Sequence, residues 1–184
     1  MIQLKTPEQI EIMKVAGRIT AETLLVAKEM IHEGVTTKEI DDKINQYIKK
    51  CGAKPTFLGY GGFPGSACIS INDEVIHGIP SHKRVLKNGD IVKIDVGATW
   101  RGFTGDSART FAVGEISEDA KKLIAATEES FFEAIKAIEA NEHPRIGDIG
   151  YAVQSYVEAR GYSAVREFVG HGVGANLHED PNVP

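Results

Sequence analysis

Apolar residues recur every three or four positions along the first fifty residues, which predicts two amphipathic helices. The first opens at Thr6-Pro7-Glu8-Gln9, a capping box with proline in the first turn. It carries Ile10, Met13, Gly17, Leu24 and Ile31 toward Gly34. A second box, Thr36-Thr37-Lys38-Glu39, opens a shorter helix whose stripe is Ile40, Ile44, Tyr47, Ile48 and Cys51, closing at Gly52. From residue 57 to 111 the period changes to short β-rich runs at 67–71, 74–77 and 91–96, separated by Gly, Pro and Asn turns. Helices then return. Ser117 caps a long one through Leu123, Ile124, Phe131, Ile135 and Ile138 that ends before Pro144, and another begins near Asp148.

The returning helices repeat the opening ones. Ile149, Val153, Tyr156, Val157 and Gly161 reproduce the spacing of Ile40, Ile44, Tyr47, Ile48 and Gly52 at an offset of 109 residues. The chain therefore reads as a duplication, with one repeat at about 1–111 and a partial second repeat at about 115–184. Counterparts of the segment around Asp95 and Asp106 are expected beyond Pro184, so either the second unit is degenerate or the sequence is a fragment.

The densest chemistry lies at 94–111, where β-formers flank Arg101-Gly102, a pair suited to a turn with positive φ. Folding there sets Trp100 against Phe103 and Val96 against Ser107, and leaves Asp95 and Asp106 about one position apart in register. Cross-strand neighbours lie roughly 5 Å apart and diagonal ones roughly 7 to 8 Å. Two carboxylates that close need a shared proton, an Arg or Lys, or a divalent cation. Arg109 and Lys93 are the side chains at hand.

Length and composition set the context. At 184 residues and 42% apolar, the chain is large enough for one domain with a core, or for part of a larger one. The net charge of −5 and the lack of a Lys/Arg-rich block argue against a DNA or other nucleic-acid binder. Cys51 and Cys68, without CxxC spacing, indicate neither a disulfide framework nor a zinc finger, and fit a reducing compartment. The first residues lack a signal pattern, and no apolar run approaches the ~18 residues of a membrane span, so a cytoplasmic protein with no membrane partner is expected.

A second cluster, Gly170-His171-Gly172-Val173-Gly174-Ala175-Asn176-Leu177-His178-Glu179-Asp180-Pro181, places two histidines among glycines. Neutral imidazole is a common ligand for Zn, Fe, Mn or Co, and flanking glycines let the backbone approach an ion. On a straight strand His171 and His178 fall on opposite faces, which gives them distinct roles unless the chain bends. The Gly-x-Gly-x-Gly spacing lacks the strand-to-helix context of a dinucleotide fingerprint.

Three segments together, Asn72-Asp73-Glu74-Val75-Ile76-His77-Gly78-Ile79-Pro80, the 95–106 hairpin, and Gly170-His171-Gly172-Val173-Gly174 through His178-Glu179-Asp180-Pro181-Asn182-Val183-Pro184, resemble the type I methionine aminopeptidases. The resemblance implies an α+β pita-bread fold, two pseudo-symmetric α/β units around a curved antiparallel sheet, with the second unit incomplete here. It implies metal-dependent removal of the initiator methionine from nascent proteins, with one or two divalent ions (Co, Mn, Fe or Zn) per site. By motif, Asp95 and Asp106 correspond to the family's metal-binding aspartates and His171 to its imidazole ligand. Two glutamate ligands belong to motifs after Pro184, and Glu179 is not one of them. Residues 1–184 alone are accordingly expected to bind metal weakly and to show little peptidase activity.

The resemblance also assigns His178 to the substrate's peptide group and the tetrahedral intermediate, and His77 to the neighbourhood of the leaving amine. Tyr60, Phe63 and Cys68 fall where the family lines its methionine pocket, a site that needs apolar, adaptable walls. Phe57 and Leu177 stand at pocket positions that vary in the family. Partners implied are N-terminal Met peptides and the ribosome, and an oligomer if the sequence ends at Pro184. Two alternatives share the scaffold. A proline-directed aminopeptidase or prolidase has the same metal set, but His77-Gly78-Ile79-Pro80 and the His171 loop resemble the methionine enzymes more. A non-catalytic relative would bind protein or RNA.

Overall fold

The core is set by one strand face. In the computed structural model, which describes residues 2–184, β3 (Ile91–Trp100) buries Val92, Ile94, Val96 and Ala98 on one side and presents Lys93, Asp95, Gly97 and Thr99 on the other. Its partner β4 (Phe103–Ala112) returns through Arg101 and Gly102, both at positive φ, so the turn is of the mirror-image kind that matches strand twist. The expected facing pairs Trp100/Phe103 and Val96/Ser107 are present. On the other edge of β3, β1 (Lys54–Pro55) pairs at Thr99 and Ala98, and β2 (Ala67–Ile71) pairs from Val96 to Val92.

Two helices cover the apolar face. Helix α1 (Pro7–Glu29) starts at the Thr6 capping box, in which Thr6 Oγ1 accepts from Gln9 N and Gln9 Oε1 accepts from Thr6 N. Helix α2 (Thr37–Lys50) starts at the corresponding Thr36/Glu39 box. Ile40, Ile44 and Ile48 of α2 are fully buried against Ile69, Val92, Ile94 and Leu86. Burial of side chains of this size is worth about 1.5–3 kcal/mol each. One expectation fails here: residues 74–77 form no strand but part of a loop after β2, entered through Asn72 at φ +52° and carrying His77 at φ +60°.

The remaining elements are α3 (Glu118–Glu139), capped by Ser117 as expected, α4 (Ile146–Glu158), and a small antiparallel pair of β5 (Gly170–Gly172) and β6 (Glu179–Val183). Helix α4 begins two residues before Asp148, whose carboxylate accepts from Arg145 N at 2.8 Å and so acts from inside the first turn. The chain divides into two compact units. One comprises residues 4–116 with 173–177, and the other residues 117–172 with 178–184 and residues 2–3. Residues 173–177 join the first unit, where Gly174 O accepts from Thr104 N of β4.

A side-chain tie recurs with the repeat. Tyr47 of α2 donates its hydroxyl hydrogen to Glu22 of α1 at 2.9 Å, and Tyr156 of α4 donates to Glu129 of α3. In each unit the shorter helix is thus fastened to the longer one that precedes it. Among the described residues no helix is long and apolar enough to cross a membrane.

Candidate metal centre and substrate pocket

The hairpin brings the two acids together on the face of the sheet away from the helices. Asp106 lies opposite Gly97 and Asp95 opposite Ala108, so the acids are offset by two residues rather than one. The even offset is what puts both on the same face, since neighbouring strand residues point to opposite sides. Gly97 keeps this corner tight: a Cβ there would sit 2.9 Å from Phe57 Cε1 and 3.0 Å from Thr56 Cβ. Gly105 does the same on the helix side, where a Cβ would lie 2.7 Å from the backbone of Ala16.

Burial pushes the Asp95 carboxyl up to about 7, and the charge of Asp106 and a hydrogen bond to it act in the same direction. Lys93 donates to the backbone oxygen of Asn72, and Arg109 pairs in register with Ile94, on the opposite face.

Next to the acids lies an apolar patch. Cys68 is the direct cross-strand partner of Asp95, and it packs with Phe57, Leu177 and Phe63. Burial, reinforced by the charges of Asp95 and Asp106, pushes the Cys68 thiol up to about 12, while the backbone N–H of His77 pulls the other way. At neutral pH it is therefore a protonated, apolar wall element. Tyr60 is exposed on the adjoining turn Tyr60–Gly62 and is not part of this buried cluster. His77 is exposed on the 72–80 loop, which is pinned to β2 at its next residue: Gly78 O accepts from Ile69 N, and Gly78 N donates to Ser70 Oγ.

His171 and His178 come together. The chain bends between β5 and β6 with a register irregularity at His171/Gly172, and the rings lie 4.2 Å apart, centre to centre. The bend removes the opposite-face separation expected of a straight strand. His171 Nδ1 donates to Gly172 O at 3.0 Å, which leaves Nε2 as the lone-pair nitrogen of the neutral ring. The aspartates belong to one compact unit and the histidines to the other, and no group of three or more His, Cys, Asp or Glu side chains set to hold a metal ion occurs among the described residues.

These donor types fit a divalent ion. Two adjoining carboxylates, one held near half-protonation at neutral pH, are a place where a cation replaces a proton, and an imidazole with its tautomer fixed by a carbonyl is a prepared nitrogen donor.

The sequence matches the model of metallopeptidase family M24 over residues 11–184. It is 53% identical to a methionine aminopeptidase of Clostridium acetobutylicum and 52% identical to methionine aminopeptidase 1 of Bacillus subtilis, in each case across the whole chain and 73% of the relative. The crystal structure of a methionine aminopeptidase from Thermotoga maritima superposes with a TM-score of 0.96 at 43% identity, covering all of this chain and 73% of that one. The chain belongs to the methionine aminopeptidases of family M24. A prolidase from Pyrococcus furiosus shares the fold at a TM-score of 0.84 but only 26% identity, so the prolidase alternative is not favoured. Membership carries the pita-bread fold and metallopeptidase chemistry with it.

Two residues of this aminopeptidase that support the site escape a motif reading. Asp41, 3% exposed in the buried stripe of α2, accepts from Ser66 N at 2.6 Å and Ala67 N at 3.1 Å, and so fixes the start of the strand that carries Cys68. The available signal is an acid directly beside Ile40 on the apolar stripe. Arg84 ties both limbs of the 72–80 loop, and nothing in the local sequence marks it.

Proposed function

We propose that the protein removes N-terminal methionine from peptides by metal-dependent hydrolysis, with Asp95, Asp106 and His171 as ligands of one or two divalent ions drawn from Co, Mn, Fe and Zn. The observation that carries the reading is the adjacency of the half-buried Asp95–Asp106 pair to the apolar cluster of Cys68, Phe57, Phe63 and Leu177, in a chain of this family. A methionine side chain on that cluster would hold its own α-carbon and scissile carbonyl beside the carboxylates. The cluster offers dispersion and sulfur contacts, the interactions a thioether can use.

Divalent metal in such a site supplies a water-derived nucleophile near neutral pH and polarises the carbonyl. The chain's own residues do the rest. Asp95 and Asp106 bind in their ionised form, giving up the proton that Asp95 holds when alone. His178 donates a hydrogen bond toward the peptide group as charge develops on its oxygen, and His77 delivers a proton toward the departing amine. Tyr60 forms the outer margin of the pocket. The reading treats residues 1–111 and 115–184 as two halves of one metallopeptidase domain. Free Cys51 and Cys68 suit work in the reducing cytoplasm, on the N-termini of new chains.

The test is methionine release from a Met-Ala-Ser peptide by the full-length protein supplied with Co or Mn, alongside an Xaa-Pro dipeptide. Release from the first only, abolished by Asp106→Ala, is the expected result. Hydrolysis of the Xaa-Pro substrate instead, or release that survives Asp106→Ala, would overturn it.

A further inference from the structure

We propose that Arg84 is a positioning residue that holds His77 in its working place, through two contacts to the loop that carries it and one to the strand beneath. The inference rests on the reading of His77 as a substrate-facing side chain.

His77 has φ +60°, a left-handed conformation that costs a non-glycine residue of order 1 kcal/mol or more. Such a conformation persists only where its surroundings over-determine it. Here the surroundings converge on one guanidinium. Arg84 Nη1 donates to Ile69 O on β2 at 3.1 Å and to Ile79 O on the descending limb of the loop at 2.9 Å, and Nη2 pairs with Glu74 on the ascending limb. Glu74 in turn accepts from Ile71 N at the end of β2, at 2.9 Å. His77 lies between residues 74 and 79, so the clamp closes on both sides of it and on the strand beneath.

The backbone of Arg84 is itself anchored. Its carbonyl accepts from Thr37 N at 2.9 Å, and Thr37 Oγ1 accepts from Ser81 N at 2.9 Å, so the start of α2 holds the base of the clamp. The loop also packs too closely to slide: a Cβ on Gly78 would lie 2.2 Å from Ile69 O. A planar fork reaches two carbonyls and a carboxylate together, which a flexible ammonium does less well. At 24% exposure the Arg84 side chain is shielded enough for those bonds to hold geometry.

The experiment is a double-mutant cycle with a spectroscopic arm. Arg84→Ala in the metal-loaded enzyme is expected to lower kcat for Met-Ala-Ser on the order of 10- to 100-fold, the cost of small misplacement near the chemistry. In a His77→Ala background the same change should cost almost nothing, because the residues act as a unit. Glu74→Gln, which removes only the charge of one contact, should give a smaller loss with the same coupling to His77. The His77 ring resonance in zinc-supplemented, isotope-labelled protein should shift and broaden in Arg84→Ala, with those of His32 and His143 unchanged. A loss of equal size with and without His77, or an unmoved His77 resonance, would overturn the proposal. Should the parent release no methionine, the functional reading fails, and the resonance still decides whether Arg84 orders His77. If Arg84→Ala does not fold, Glu74→Gln carries both readouts.

Discussion

Asp95 and Asp106 are diagonal cross-strand neighbours that share a hydrogen bond on one face of the β3–β4 hairpin. Burial, and then the charge of Asp106 and the shared hydrogen bond, raise the Asp95 carboxyl above its ordinary range. A site built this way stores binding capacity for a cation in the form of a proton.

Metal-free protein should therefore lose stability as pH rises. The Asp95 carboxyl binds its proton more tightly folded, at about 7, than unfolded, near its ordinary 3.8. Its contribution is complete below about pH 4 and falls away as pH climbs through 7. Thermal melts of metal-free protein across that range should show a decline that Asp95→Asn reduces. Adding Mn at pH 7 should restore stability, by about 2.7 kcal/mol at a concentration one hundred times its Kd. A pH slope identical in Asp95→Asn would contradict this account.

The acid pair was legible from sequence because a two-residue turn fixes register, and register fixes faces. The expected offset of one is a miscount: a register with Val96 opposite Ser107 already sets Gly97 opposite Asp106 and the acids two positions apart on one face, as observed. Both capping boxes were legible for a similar reason, since each depends on residues three apart. Residues 74–77 misled because Glu74-Val75-Ile76 has strand composition, while the conformation is imposed by Arg84 and Gly78 from outside the segment. Asp41 and Arg84 act on backbone groups far along the chain, and no local pattern encodes that.

Two glycines that meet at one point should respond to alanine with opposite sign. Gly105→Ala would drive a methyl to 2.7 Å from the Ala16 carbonyl and Gly17 N, backbone of α1 that cannot step aside. The expected loss is about 1–3 kcal/mol in urea unfolding, with weaker metal binding because Asp106 is the next residue. Gly17→Ala meets nothing within 4 Å and lies within α1, so it should gain up to about 1 kcal/mol from helix propensity. Equal effects from the two would show that the hairpin does not rest on the helix backbone here.

Asp41 makes the last case, because its role is separable from that of a salt bridge. Its Oδ1 accepts both Ser66 N and Ala67 N, and its Oδ2 meets Lys38 Nζ at 3.1 Å. Lys38 also pairs with the exposed Asp42, so it keeps a partner when Asp41 is lost. The two amides have no such substitute in a buried position, and leaving them bare costs about 1–3 kcal/mol each at most. Asp41→Ala should thus lose about 2–4 kcal/mol, and Asp41→Asn, which retains an acceptor oxygen, clearly less. Lys38→Ala should stay within about 1 kcal/mol of the parent. Because Ala67 leads directly into Cys68 beside Asp95, Asp41→Asn should also raise KM for Met-Ala-Ser more than it lowers kcat. Urea titrations give the first three values and steady-state kinetics the fourth. A Lys38→Ala loss as large as that of Asp41→Ala would mean that the ion pair, and not the amide cradle, anchors the strand.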